Sequence, residues 1–208
     1  MRILYTGFSP FGGETVNPAW EAVRRLPDTV AGAQILRMEL PTSFRASGDL
    51  LASAMERLRP DAVICVGQAG GRAAVTPERI AVNLMDAAIP DNDGFRPVDM
   101  PICPGGPAAY FSTLPLRRIE AAVRAEGIPA ALSCSAGTYV CNCLMYRLLG
   151  LAERSRTPVR AGFIHVPYAE EQCVGKPDGT PFLPLWQMVR ALTAAAAAVA
   201  DEDVKSPD

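Results

Sequence analysis

Short apolar, β-branched runs alternate along this chain with stretches whose apolar residues recur at helical spacing, and that alternation restricts the folds open to it more than any other feature. RILYTGF precedes NPAWEAVRRL, and AQILRMEL precedes a run through Phe44, Leu51, Met55 and Leu58. DAVICVG, PAALSCS and RAGFIHV read as further strands; the stretch with Leu116, Ile119 and Val123 and the stretch YVCNCLMYRLLGL read as helices. Strands without polar alternation are buried on both faces, and parallel neighbours need crossover connections, which the helices supply. The expected fold is α/β: an open three-layer α/β/α sandwich with a mostly parallel, twisted central sheet. Between Gly70 and Pro115 the pattern loosens into a Pro-, Gly- and Asp-rich stretch around RIAVNLM, which suggests a hairpin or a long functional loop.

At 208 residues one core suffices, so residues 1–208 are expected to form one domain, with 201–208 a flexible tail. Twenty Lys and Arg against 22 Asp and Glu, scattered without a basic stripe, give a formal charge of -2 and argue against nucleic acid as a partner. MRILYTGFSPFGG reads as a first strand rather than a signal peptide, and ALTAAAAAVA is a terminal helix too short and too weakly apolar for a bilayer. These features point to a cytoplasmic protein with no membrane partner. Cysteines 65, 103, 134, 141, 143 and 173 contain no C-x-x-C pair and read as free thiols.

The chain has one histidine, so any imidazole chemistry belongs to His165. That residue ends the run AGFIHV before Pro167, at the carboxyl edge where open α/β sheets gather ligand-binding groups; a lone His is otherwise commonly a satisfied core imidazole. Cys141 falls in the first turn of the helix after PAALSCS, with Thr138 as expected N-cap. A helix start stabilises an anion, so Cys141 is where a thiolate would form most readily, whereas Cys65 reads as a core hydrophobe. Cys141 can equally be read from its surroundings as a buried packing thiol. Cys141 and Cys143 point about 200° apart on a helix and cannot share a metal, so no metal or cofactor is expected. Glu78, Asp86, Asp91, Asp93 and Asp99 are all candidates to orient the imidazole, and spacing does not choose among them. VGQAGGR lacks both the dinucleotide fingerprint and the P-loop ending.

Four segments, TGFSPFGGETVNP, GQAGGRAAVTPERIAVN, SAGTYVCNCLMY and GFIHVPYAEEQ, together give the chain a resemblance along nearly its whole length to the type I pyroglutamyl peptidases, also called pyrrolidone-carboxylate peptidases. The resemblance implies a thiol peptidase with Cys141 as nucleophile, His165 as base and Glu78 as its orienting carboxylate. It further implies substrates that are peptides with an N-terminal pyroglutamate, and assembly as a homotetramer. Phe8 and Phe11 would sandwich the lactam, while Asn17, Thr42, Gln68, Ile89, Tyr139 and Val140 would complete the pocket or position its loops. Ala88 stands where relatives often carry arginine. Two rivals are a nucleoside phosphorylase-like enzyme, which would need Arg72 and Arg79 for phosphate, and a noncatalytic binder of blocked peptide N-termini.

Overall fold

The computed structural model describes residues 1–201; the expected tail, from residue 202 onward, lies outside the described residues. Strands β1 (Arg2–Phe8), β3 (Ala33–Leu40), β4 (Ala62–Gln68) and β8 (Arg160–Val166) form the parallel centre of the sheet, in the order β3-β1-β4-β8. Short antiparallel edge strands flank them, β2 (Thr29–Val30) against β3 and β5 (Thr76–Pro77) against β8. The loosened stretch holds a separate two-stranded antiparallel sheet of β6 (Ile80–Val82) and β7 (Ala109–Phe111); the long connection over residues 83–108 makes it a long loop closed by a strand pair rather than a tight hairpin.

Because side chains alternate across a strand, each central strand feeds two cores. Ile3, Tyr5, Ile64, Val66 and Ile164 face one side, where α1 (Pro18–Val23), α3 (Leu116–Ala125) and α5 (Leu185–Ala200) cover them. Leu4, Phe8, Val63, Cys65, Ala161 and Phe163 face the other, under α2 (Ala46–Leu58) and α4 (Val140–Arg154). The result is the α/β/α sandwich read from the sequence. Cys65 is fully buried, as expected of a small core residue.

Two expectations need correction. PAALSCS is not a regular strand: Ala130 and Ser133 make isolated parallel bridges to Val75 and Glu78, and much of the segment is exposed or half-buried. It borders the short strand β5 rather than entering the buried centre, so only a few backbone bonds, such as Ala131 N to Val75 O at 3.1 Å, hold it. The N-cap of α4 is Tyr139 rather than Thr138, whose hydroxyl donates instead to the Asp86 carbonyl at 2.7 Å. Among the described residues no helix is long and apolar enough to cross a membrane.

Tyr5 links sheet to helix at depth, its hydroxyl donating to the Leu192 carbonyl of α5 at 2.8 Å within a fully buried setting. Tyr5→Phe removes that bond and is expected to cost about 1 kcal/mol, or roughly 2–4 °C in Tm for a chain of this size. Thermal unfolding of the variant measures it; no change would mean that the bond contributes nothing net.

Candidate active site

The carboxyl ends of the parallel strands share one edge of the sheet, and most of the expected site residues collect there. His165 is the penultimate residue of β8, on the same sheet face as Ala161 and Phe163. Beside it in register on β4 is Gly67. The space a side chain would fill at Gly67 is taken by the Cys141 sulfur: a Cβ there would lie 2.8 Å from Sγ and 2.8 Å from Cζ of Phe163. Since neighbouring strands run about 4.8 Å apart, the helix delivers the sulfur beside the strand that carries the imidazole. Cys143 faces elsewhere, its sulfur 3.6 Å from the Phe44 carbonyl.

Of the five candidate carboxylates, Glu78 meets the imidazole, with Oε1 2.7 Å from His165 Nδ1. The antiparallel pairing of β5 with β8 brings it there, because Glu78 follows β5 and its amide donates to the Phe163 carbonyl at 2.9 Å. Asp91 instead anchors a turn, accepting from the amides of Phe44, Asp93 and Phe95, and Asp93 accepts from the Ser43 hydroxyl. Glu78 is fully buried. Burial works against its charge, but His165, Ser133 and Arg72 outweigh that and hold the carboxyl below its ordinary range. An ionised Glu78 can only accept, so Nδ1 carries the proton and Nε2 is left with its lone pair. Burial lowers the His165 pKa more than Glu78 raises it, which keeps the imidazole neutral near pH 7.

The sulfur differs from the expectation of a ready thiolate. Cys141 is the second residue of α4, and its own backbone amide favours the anion. Desolvation nevertheless dominates, aided by the Glu78 charge, and pushes the thiol up to about 12. The magnitudes explain the order: a helix start is worth up to about 2 kcal/mol, about one and a half pKa units, whereas loss of solvent around a half-buried sulfur packed beside Gly67 and Phe163 can outweigh that, since burial shifts a group by up to about 3–5 units. The resting pair is therefore a neutral thiol beside a neutral imidazole.

The remaining residues form the surroundings of this pair. Phe8 lies in the core against Phe163, ring centroids 6.3 Å apart, while Phe11 keeps part of its ring exposed and packs on Tyr139 at 5.9 Å. Asn17 caps α1 and donates to the Ser9 carbonyl at 3.1 Å; Thr42 Oγ1 donates to the same carbonyl at 2.8 Å. Both thus hold the loop that carries Phe11. The Tyr139 hydroxyl donates to the Pro90 carbonyl at 3.0 Å, and Ile89, largely exposed, faces Gly12. Val140 is buried, and Gln68 Oε1 accepts from Gln172 at 3.0 Å. Ala88 is exposed, and the Arg96 Nε donates to the neighbouring Ala87 carbonyl at 3.1 Å. A groove of about 430 Å³ on the other side of α4, lined by Phe44, Met85, Cys143 and Tyr146, lies apart from Cys141 and His165.

The sequence matches the pyroglutamyl peptidase family over residues 1–202. The chain belongs to that family. It is 50% identical over 201 residues to the pyrrolidone-carboxylate peptidase of Streptococcus pyogenes serotype M12 (strain MGAS2096), covering 97% of this chain and 93% of that one. The crystal structure of pyroglutamyl peptidase I from Bacillus amyloliquefaciens superposes with a TM-score of 0.93 at 48% identity, over 97% of this chain and 95% of the other. Pyrrolidone carboxyl peptidase from the hyperthermophile Pyrococcus furiosus gives a TM-score of 0.92 at 42% identity, over 97% and 99%. Membership makes the chain a peptidase of the thiol-dependent class, and the matches favour neither the phosphorylase-like nor the noncatalytic reading.

Three contributors are not apparent from the sequence: Gly67 belongs to a glycine-rich stretch, Arg72 stands out only as a phosphate partner for the phosphorylase-like rival, and Asn142 carries no motif. Asn142 is buried and bonds the β6 strand and its exit through the Val82 amide and carbonyl and the Leu84 carbonyl at 2.9–3.0 Å, fixing the start of α4. An Asn inside an otherwise apolar helical face was the available signal. Gly67→Ala would crowd the sulfur and is expected to cost about 1–3 kcal/mol of stability, with a marked loss of turnover. Unfolding and rate measurements on the variant check both, and wild-type values would show that the sulfur does not depend on that space.

Proposed function

We propose that this chain hydrolyses the amide bond after an N-terminal pyroglutamyl residue, with Cys141 as nucleophile, His165 as general base and acid, and Glu78 as the group that fixes the imidazole. The observation that carries the reading is the 2.7 Å bond from His165 Nδ1 to a buried, ionised Glu78, which leaves Nε2 as proton acceptor on the sheet face that holds the sulfur. His165 Nε2 takes the thiol proton as sulfur bonds to the pyroglutamyl carbonyl carbon. The carbonyl oxygen becomes an oxyanion facing the first amides of α4, including that of Cys141, which have no acceptor within the helix. The proton passes from Nε2 to the departing amine as the C–N bond breaks, leaving a thioester. Water then gives a proton to Nε2 while its oxygen attacks; the C–S bond breaks, and sulfur recovers the proton. The scheme draws on no metal or organic cofactor.

The lactam is small and uncharged, which suits apolar walls with a few hydrogen bonds. Phe11 and Tyr139 would supply ring surface, Phe8 would back them from the core, and Ile89 and Val140 would add apolar contact. Asn17 and Thr42 would hold the loop, and backbone groups near Gln68 would serve the lactam. In this reading residues 1–208 act as one domain, in the cytoplasm, as a homotetramer. The exposed apolar residues Phe111, Val174 and Trp186 support assembly, which sedimentation velocity would measure directly.

Release of a fluorogenic amine from a pyroglutamyl amide, with no release from the prolyl amide, is the expected result. Cys141→Ala should abolish it without altering the circular dichroism spectrum; turnover by that variant would remove Cys141 from the mechanism. Below its pKa the imidazole is protonated and the base is lost. Since that pKa is depressed, kcat/KM should hold as pH falls toward the ordinary His value of about 6.5 and decline only below it. A pH–rate profile that fell already above pH 7 would contradict a neutral resting pair.

A further inference from the structure

Arg72 lies in the loop after β4 and reaches three separate parts of the site. One guanidinium nitrogen, Nη1, bonds Thr76 Oγ1 at 2.5 Å and Glu78 Oε1 at 2.6 Å; the other, Nη2, bonds the Ser135 carbonyl at 2.9 Å. Thr76 belongs to β5, Glu78 carries the bond to His165, and Ser135 stands in the turn that leads into α4 and Cys141. Backbone bonds tie this segment to the β5 side as far as Ser133, and Thr138 is tied to Asp86, so the Arg72 bond at Ser135 holds the stretch between those two anchors. We propose that Arg72 is a positioning residue for the reaction, bridging the carboxylate behind His165 to the entry of the helix that carries Cys141. The inference rests on the reading of Cys141, His165 and Glu78 given above.

A planar guanidinium is suited to this because its donors diverge at fixed angles, so one side chain can fix a carboxylate and a backbone turn in one mutual geometry, here adding to the backbone bonds that already join the two segments. Glu78 Oε1 then accepts from both His165 and Arg72, while its Oε2 meets no partner at hydrogen-bond geometry among the described residues. Together with Ser133, these two bonds to one oxygen set the orientation of the carboxylate. Arg72 is also the cation acting on both reacting groups. Around the Cys141 sulfur stand Glu78, Cys65 of β4, Tyr139 and Arg72, and Arg72 alone of these favours the thiolate. Around His165 stand Glu78, which favours the imidazolium, and Arg72, which opposes it. A cation lowers the pKa of every group in its field, so removing it must move both titrations in the same direction, upward. A contact that mattered only for folding would move neither.

The test compares wild type with Arg72→Met, Arg72→Gln and Arg72→Lys on a pyroglutamyl amide across pH, alongside iodoacetamide alkylation of Cys141 located by mass spectrometry. Arg72→Met should lower kcat/KM about tenfold or more, mainly in kcat, because the groups it positions act on bound substrate. The guanidinium is partly exposed and so partly screened, and the acid limb of kcat/KM should move up by roughly half to one pH unit. Alkylation of Cys141 at pH 8 should slow about three- to tenfold, following the thiolate fraction. Arg72→Lys should return the acid limb and the alkylation rate to near wild type while leaving kcat depressed, since an ammonium restores the charge but not the fork. A folded Arg72→Met protein with an unmoved acid limb and unchanged alkylation would overturn the inference, whatever its rate. Should that variant not fold, Arg72→Gln gives the same comparison; failure of both to fold makes Arg72 a residue of the fold alone and overturns it equally. An inactive wild type or an active Cys141→Ala protein would instead overturn the peptidase reading, and this inference with it.

Discussion

A single buried hydrogen bond, from His165 to Glu78, organises the surroundings of the candidate site. An ionised carboxylate in a dry interior is costly unless paired, and the fold meets that cost from several directions. β8 presents the imidazole, β5 delivers the glutamate by antiparallel pairing, and Arg72 closes the set from the loop after β4. Because the glutamate stays ionised, the tautomer of the imidazole is fixed, and with it the nitrogen that faces the reaction. The site is thus largely a product of strand order: parallel neighbours β4 and β8 put Gly67 beside His165, and the empty position at Gly67 admits a sulfur from the helix above.

Much of this was legible in the amino-acid pattern. The alternation of apolar runs with helical periodicity foretold a covered parallel sheet, and the five helices and four central strands fall where the spacing put them. His165 and Cys141 could be chosen from position alone, as the last residues of a strand and the first of a helix. Glu78 could not, since five acids lay in one irregular stretch and their choice depended on a β5–β8 pairing only two residues long. PAALSCS misled because apolar composition does not separate a central strand from an edge segment. Thr138 misled because a good capping side chain was already committed to the Asp86 carbonyl.

The state of the sulfur was the least legible property. Sequence can place a cysteine at a helix start, where the backbone favours an anion, but it does not disclose how much solvent the fold removes. Here removal of solvent wins. In the proposed mechanism His165 takes the proton during attack, so ionisation of the thiol would belong to the reaction rather than to the resting protein.

That choice bears on how the protein withstands oxidants. Peroxides attack thiolates and react slowly with a protonated sulfur, so burial that delays ionisation also shields Cys141 from conversion to sulfenic acid between turnovers. The exposed thiols of Cys103 and Cys134 stand nearer to bulk solvent and offer themselves first. If Cys141 is the nucleophile proposed above, keeping it protonated until substrate arrives would slow its loss to oxidants between turnovers.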